Sequence, residues 1–408
     1  MLKSEKIKSA GNRDSVILAH DRFRVILDAQ KGMVPDLSCR ISDGWINAHW
    51  QPWFRSNSGL PWNEKEHSSF WKVPLLFDIA GNFPCIPNFG SGVEMGNYNI
   101  PPHGYTAYGT WEQQSPESLS DASGIYCVSS LSEGEHPFRY KKKDLVLHVQ
   151  NVHYTSLDVT NTGLREEPYN CAWHNTVGPP FLESGCLIDN NADQFKVACE
   201  GGEFDSTGRL LPGAETDTLS KVPLRRGGTA DLRLVPGVIG YSDFITAAVS
   251  DHSETGWSSI VNPRMKLLYL SFFTGPAAMD KDDIPLNFNN LWMNYGGRSY
   301  TPWAVRDGLA DQTFCLGAEN STGYFANGLK ESLENPVLLG KPTYLMLSPG
   351  EQRTLHYGTL FQAYPDNILD KGVSSIEPVK GGFIVKGSDG RYVAIKAEWN
   401  FESLKSIR

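Results

Sequence analysis

Apolar and polar positions alternate in short runs along most of this chain, the period-two signature of half-buried β-strands. Ser15–Ala19 and Phe23–Asp28 read as the first such strands, and Lys31-Gly32-Met33-Val34 reads as a turn into another. The pattern returns at Leu145–Val149, Tyr154–Val159, Leu267–Phe272, Thr343–Leu347 and Thr354–Leu360. Each run is bounded by Gly, Pro, Asn or Asp, the residues that end strands and make turns. Helical periodicity is scarce. Tyr241–Ser250 is the best short helix by pattern, with weaker stretches at Met1–Ser9 and around Lys330–Leu333. No longer repeat stands out, which disfavours a propeller or a solenoid. The expected fold class is all-β, a large antiparallel β-sandwich.

The same pattern divides the chain. Residues 1–14 read as a loose lead-in, residues 15–363 as one sandwich domain, and residues 364–408 as a C-terminal extension. Within the extension, Gly381–Ile395 is a strand, an Asp389-Gly390 turn and a strand, a strong hairpin signal. A two-stranded ribbon is marginal alone, so the extension is expected to pack on the main domain. Segments 40–70 and 190–260 carry no assignable pattern.

Composition narrows the function classes. Of 408 residues, 40% are hydrophobic and 20% charged, enough for a sizeable core. The net charge is -9, and the densest basic run is Lys141-Lys142-Lys143, so no nucleic-acid partner is expected. The Met1–Ser9 end lacks an apolar core, and no apolar run is long enough to span a bilayer, so neither a secretory signal nor a membrane partner is expected. The seven cysteines, at 39, 85, 127, 171, 186, 199 and 315, are scattered and form no CxxC pair. They read as free, mostly buried thiols in a cytoplasmic, reducing setting, with no disulfide framework and no zinc site. Eleven tryptophans and 16 tyrosines suit β architecture, and such rings also stack on the C–H faces of sugars.

Three segments could carry chemistry. Phe77–Gly90 followed by Ile100–Trp111 is dense in Gly, Pro and aromatics, and it places His103-Gly104 at the end of an irregular loop. Asn170–Phe181 puts His174 in a strand that runs into Gly178-Pro179-Pro180. A histidine there either points into a cleft or is a satisfied core residue beside Trp173. Phe314–Tyr324 places Glu319 directly after an apolar strand. A buried carboxylate must be paired or must do work, which makes Glu319 the best single candidate; a plain strand-end glutamate is the competing reading.

In this order the segments resemble the galactose-mutarotase-like superfamily, the aldose 1-epimerase type. The resemblance rests on Lys31-Gly32-Met33, on Gly81 to Gly90, on His103-Gly104 and on Asn161-Thr162-Gly163 before His174. It continues through Glu319 and Leu347-Ser348-Pro349-Gly350-Glu351, and covers about residues 15–363. It implies the large sandwich known as a supersandwich and a small-molecule carbohydrate as ligand. The chain would be a monomer or homodimer and would need no metal or organic cofactor. It also implies roles: Glu319 as general base on the anomeric hydroxyl, His174 as general acid on the ring oxygen, and His103 as a hydrogen-bonding partner of the sugar. The family usually carries an arginine near the Gly-X-X-Pro loop. Here that stretch is Ile79-Ala80-Gly81-Asn82, so Asn82 stands in its place and a phosphorylated sugar becomes less expected. Trp292, Asn294 and Arg298 lie where further substrate contacts are expected, with Trp292 as a core residue the other reading.

Three functions fit these residues. The first is an isomerase interconverting anomers of a free sugar or sugar derivative. The second is a non-catalytic carbohydrate-binding protein of the same fold. The third is a glycosidase, which would need a second carboxylate from Glu94, Glu112 or Asp78, or a lyase, which in related folds adds a helical domain that the pattern here does not show.

Overall fold

The computed structural model describes residues 1–42, 44–52, 63–68, 74–132, 134–199, 208–298, 303–304 and 313–407. Two large antiparallel sheets dominate; the runs at 145–149, 154–159, 267–272 and 354–360 fall in one of them, those at 15–19 and 23–28 in an N-terminal sheet, and that at 343–347 in a short two-stranded pair. One of the two large sheets has nine strands. Its path runs through residues 117–118, 124–131, 138–147, 152–161, 352–363, 267–274, 255–262 and 187–190, with 112–113 added beside 124–131. The other has seven, in the order 215–216, 192–197, 241–249, 288–295, 314–322, 171–177 and 82–85. An N-terminal five-stranded sheet covers residues 3–9, 13–20, 23–28, 36–41 and 44–47. A core shared by the three sheets includes Val25 and Leu37 from the N-terminal sheet, Ile260, Tyr269 and Phe361 from the nine-stranded one, and Leu291, Met293 and Leu316 from the seven-stranded one. The fold is mainly β, as the strand pattern indicated.

Leu267–Thr274 explains why the C-terminal extension is there. Its pattern is almost wholly buried, so both faces of the strand need cover. Leu267 and Tyr269 join the core between the sheets. Leu268, Leu270 and Phe272 face the other way and meet Phe383, Val385, Ile395, Phe401 and Leu404 of the extension. Phe272 sits 5.0 Å from Phe383 and 5.5 Å from Phe401, ring centre to ring centre. The extension contains three strands, Val373–Val379, Gly382–Gly387 and Tyr392–Lys396, and a short helix, Glu402–Lys405. The Asp389-Gly390 hairpin is therefore two thirds of a small sheet.

Two local expectations are corrected. Residues 241–249 form a strand and not a helix. Phe244 packs on one side while Ile245 and Ala247 pack on the other, so no polar face was left to reveal the period of two. The loose lead-in at 1–14 instead contains the strand Lys3–Ser9, paired from Lys3↔Ala19 to Ser9↔Arg13. Its exposed lysines charge a sheet edge, which opposes edge-to-edge pairing. The weak helix near residue 330 is present at Leu329–Glu334. No helix among the described residues is long and apolar enough to cross a membrane. All seven cysteines are free, six of them buried.

Candidate active site

The site lies on the face of the seven-stranded sheet turned away from the nine-stranded one. Side chains alternate between faces along each strand, so strand register decides what meets there. The pairings Trp173↔Asn320 and Thr176↔Gly317 put His174 opposite Glu319. On the two outer sides of that pair stand Phe83, paired with His174, and Asn290, paired with Glu319. His174 Nε2 lies 3.1 Å from Glu319 Oε1, and their side chains are only 5% and 2% exposed. The next row along the sheet is Trp292, Gly317 and Thr176. Gly317 has no side chain, and a Cβ there would stand 2.9 Å from Glu319 Oε1 and 3.1 Å from Trp292 Cβ.

His103 reaches the pair from a loop. Its backbone is left-handed, with φ of 62°, and its N–H donates to Gly90 O at 2.9 Å. Gly104 follows because a Cβ there would meet Ile86 O at 2.4 Å. This strained, glycine-dependent turn presents the His103 ring at 5.1 Å from the His174 ring, nearly perpendicular to it. Cys85 Sγ lies 3.6 Å from His103 Nδ1, and Phe89 packs 5.7 Å from the same ring. Phe83 stacks on His174 at 4.6 Å with the rings 13° from parallel. The three expected catalytic side chains thus converge.

The expected binding residues divide. Trp292 borders the pair, its ring 6.2 Å from that of His174, and it is also 5% exposed and packed edge-on to Trp303. Arg298 lies over Trp303 at 4.6 Å and over Trp292 at 5.4 Å. Asn294 sits one step further along the Trp292 strand, opposite Cys315 and buried. Asn82 is not brought to the cluster. It alternates with Phe83, so its amide points between the sheets and donates to Asn175 Oδ1 at 3.0 Å. Phe83, Thr176 and Gly317 were missed; their signal was the two-residue spacing from Cys85, His174 and Glu319, readable only once the strands are aligned. Among the described residues, no group of three or more His, Cys, Asp or Glu could hold a metal ion.

Burial, and then the nearby His103, pushes the His174 pKa well below its ordinary value. An isolated imidazolium is therefore disfavoured here. The Glu319 carboxylate at 3.1 Å is the negative charge placed to offset that burial. The Cys85 thiol is pushed well up, by burial first and by Glu319 second, and stays protonated. The carboxylates weighed as glycosidase partners lie elsewhere. Asp78 is held by Arg13 and Lys31, Glu94 is exposed on a hairpin, and Glu112 is exposed on a strand of the nine-stranded sheet.

No family model matches the chain, and no curated protein matches it. Solved structures do. A candidate aldose 1-epimerase from Klebsiella pneumoniae superposes with a TM-score of 0.62 at 12% identity, over 88% of this chain and 83% of that one. A galactose mutarotase-like protein from Clostridium acetobutylicum gives 0.57 at 12% identity, over 89% and 99%. A galactose mutarotase related enzyme from Lactobacillus acidophilus gives 0.51 at 11% identity, over 86% and 98%. The chain has the galactose-mutarotase-like fold. At such identities the likeness fixes the fold and leaves the chemistry to the side chains.

Proposed function

We propose that this protein interconverts the anomers of a free sugar, or of a sugar derivative, by acid–base opening of the pyranose ring. The observation that carries the reading is the buried His174–Glu319 contact at 3.1 Å with the His103 ring beside it. Opening a hemiacetal needs one proton removed and one donated. Glu319 takes the proton of the anomeric hydroxyl, and His174 gives its Nε2 proton to the ring oxygen. The bond from C1 to the ring oxygen breaks, the C1–C2 bond rotates, and closure with the reverse transfers yields the other anomer. His103 donates or accepts at a sugar hydroxyl. Trp292 offers an apolar wall and Arg298, stacked against it, a fixed donor fork. The partner of Glu319 is an imidazole and not a second carboxylate, which favours this reading over a glycosidase.

Saturation-exchange NMR on α-glucose and α-galactose tests the proposal. Wild type accelerates anomer exchange, and Glu319→Gln loses about 10²–10⁴-fold of that rate. Equal exchange by both proteins, with sugar still bound, leaves only the carbohydrate-binding reading.

A further inference from the structure

The proposed chemistry requires that His174 exchange its proton through Nε2, the nitrogen that faces Glu319. A neutral imidazole carries its proton on either nitrogen, and the wrong tautomer turns a bare lone pair toward the carboxylate. Something must therefore occupy Nδ1.

Thr176 Oγ1 lies 3.1 Å from His174 Nδ1. Two residues apart on one strand, the two side chains stand on the same face. Thr176 is buried, with 1% of its surface exposed. Its backbone is tied on both sides: its N–H donates to Gly81 O at 3.1 Å, and its C=O accepts from Trp50 N at 2.9 Å. A β-branched side chain on so fixed a backbone has little rotamer freedom, so the hydroxyl oxygen is placed. With the carboxylate of Glu319 drawing the proton to Nε2, the hydroxyl donates to the bare Nδ1 and completes that tautomer, and it can turn to accept when an imidazolium forms. Phe83, stacked on the ring face, stops the imidazole from turning away.

We infer that Thr176 is a positioning residue that holds Nδ1 and keeps Nε2 as the nitrogen that shares its proton with Glu319 and, on the function proposed above, with the ring oxygen of the sugar. Thr176 acts through His174 and touches neither the reacting atoms nor the sugar.

The test is ¹⁵N NMR of the His174 ring in the intact protein, with anomer exchange measured on the same samples. Wild type is expected to show a protonated Nε2. Thr176→Val, which keeps the shape and removes the hydroxyl, is expected to mix the two tautomers. It should also lower kcat for anomer exchange at least about 10-fold with KM little changed, and Thr176→Ser should restore both. An unprotonated Nε2 in wild type overturns the inference without any variant. So does a proton distribution that Thr176→Val leaves unchanged. If the tautomer follows residue 176 while wild type turns over no sugar, the placement of the proton stands and the enzymatic reading fails.

Discussion

At the scale of the residue, a missing side chain matters as much as those present. Trp292, Gly317 and Thr176 form one row across three strands, directly beside the His174–Glu319 pair. A Cβ at the middle position would press on Glu319 Oε1 at 2.9 Å and on Trp292 at 3.1 Å, so one of them would have to shift. Displacing a reacting group by even 1 Å costs about 10²-fold in rate. Gly317→Ala is therefore expected to lower kcat/KM for anomer exchange by about that factor while far-UV circular dichroism stays that of wild type. Wild-type kinetics in this variant would falsify the idea that the missing side chain at 317 is what leaves Glu319 its place. Glu319 was legible as a candidate because a carboxylate next to an apolar run must be paired or put to use, although the strand continues past it to Thr322. Gly317 was not, because its meaning comes from the neighbours that register gives it.

At the scale of the element, the two strands that carry His174 and Glu319 are fastened from behind. The residues after His174 and Glu319, Asn175 and Asn320, point between the sheets. Asn175 Nδ2 donates to Tyr357 OH at 2.5 Å, and that hydroxyl donates to Asn320 Oδ1 at 2.5 Å. Tyr357 belongs to the strand Gln352–Ala363 of the opposite sheet and stacks on Trp173 at 4.9 Å. Tyr269 OH and Asn82 Nδ2 also donate to Asn175 Oδ1, at 3.1 and 3.0 Å. One phenol thus links both of these strands to the far sheet through a buried polar layer, where an orphaned group is costly. Tyr357→Phe keeps the ring stack, orphans Asn175 Nδ2 and leaves Asn320 Oδ1 to the Ser271 hydroxyl at 3.3 Å, so it should cost about 1–3 kcal/mol in urea unfolding; a loss below about 0.5 kcal/mol would refute the clamp. This layer shows where sequence reading stops. Strands with a polar face, such as Phe23–Asp28, were visible from period alone. Tyr241–Val249, buried on both sides, lost that signal and read as a helix. Asn82 was expected at the substrate because its neighbourhood matched the family, yet alternation with Phe83 sends it inward.

At the scale of the whole molecule, packing three sheets and an extension buries several histidines where their charged form is disfavoured. Burial pushes His49 down to about 3, although the Val34 carbonyl at 2.6 Å works the other way. It stands where the N-terminal sheet meets the central core. Burial alone pushes His136 down to about 4; it packs on Phe138 and Tyr98, with Nδ1 lacking a hydrogen-bond partner. Both pKa values lie below the ordinary 6.5, so the folded state binds fewer protons than the unfolded chain once pH drops below 6.5. The stability these residues allow is present above that pH and is lost as pH falls toward about 4 and then about 3. His174, also lowered, adds in the same sense. Asp189 and Asp243 have raised values and oppose the trend: their contribution is present at low pH and lost as pH rises through their folded values. His20 is lowered by burial as well, and four histidines against two raised carboxylates favour net loss, so the urea midpoint should be level above about pH 7 and fall steadily from about pH 6.5 to 5. His136→Phe, which suits the aromatic surroundings, should reduce that slope by about 1 kcal/mol per pH unit near pH 5. A midpoint that does not fall over this range, or a slope that His136→Phe leaves unchanged, would mean that the buried imidazoles are not what acid attacks first.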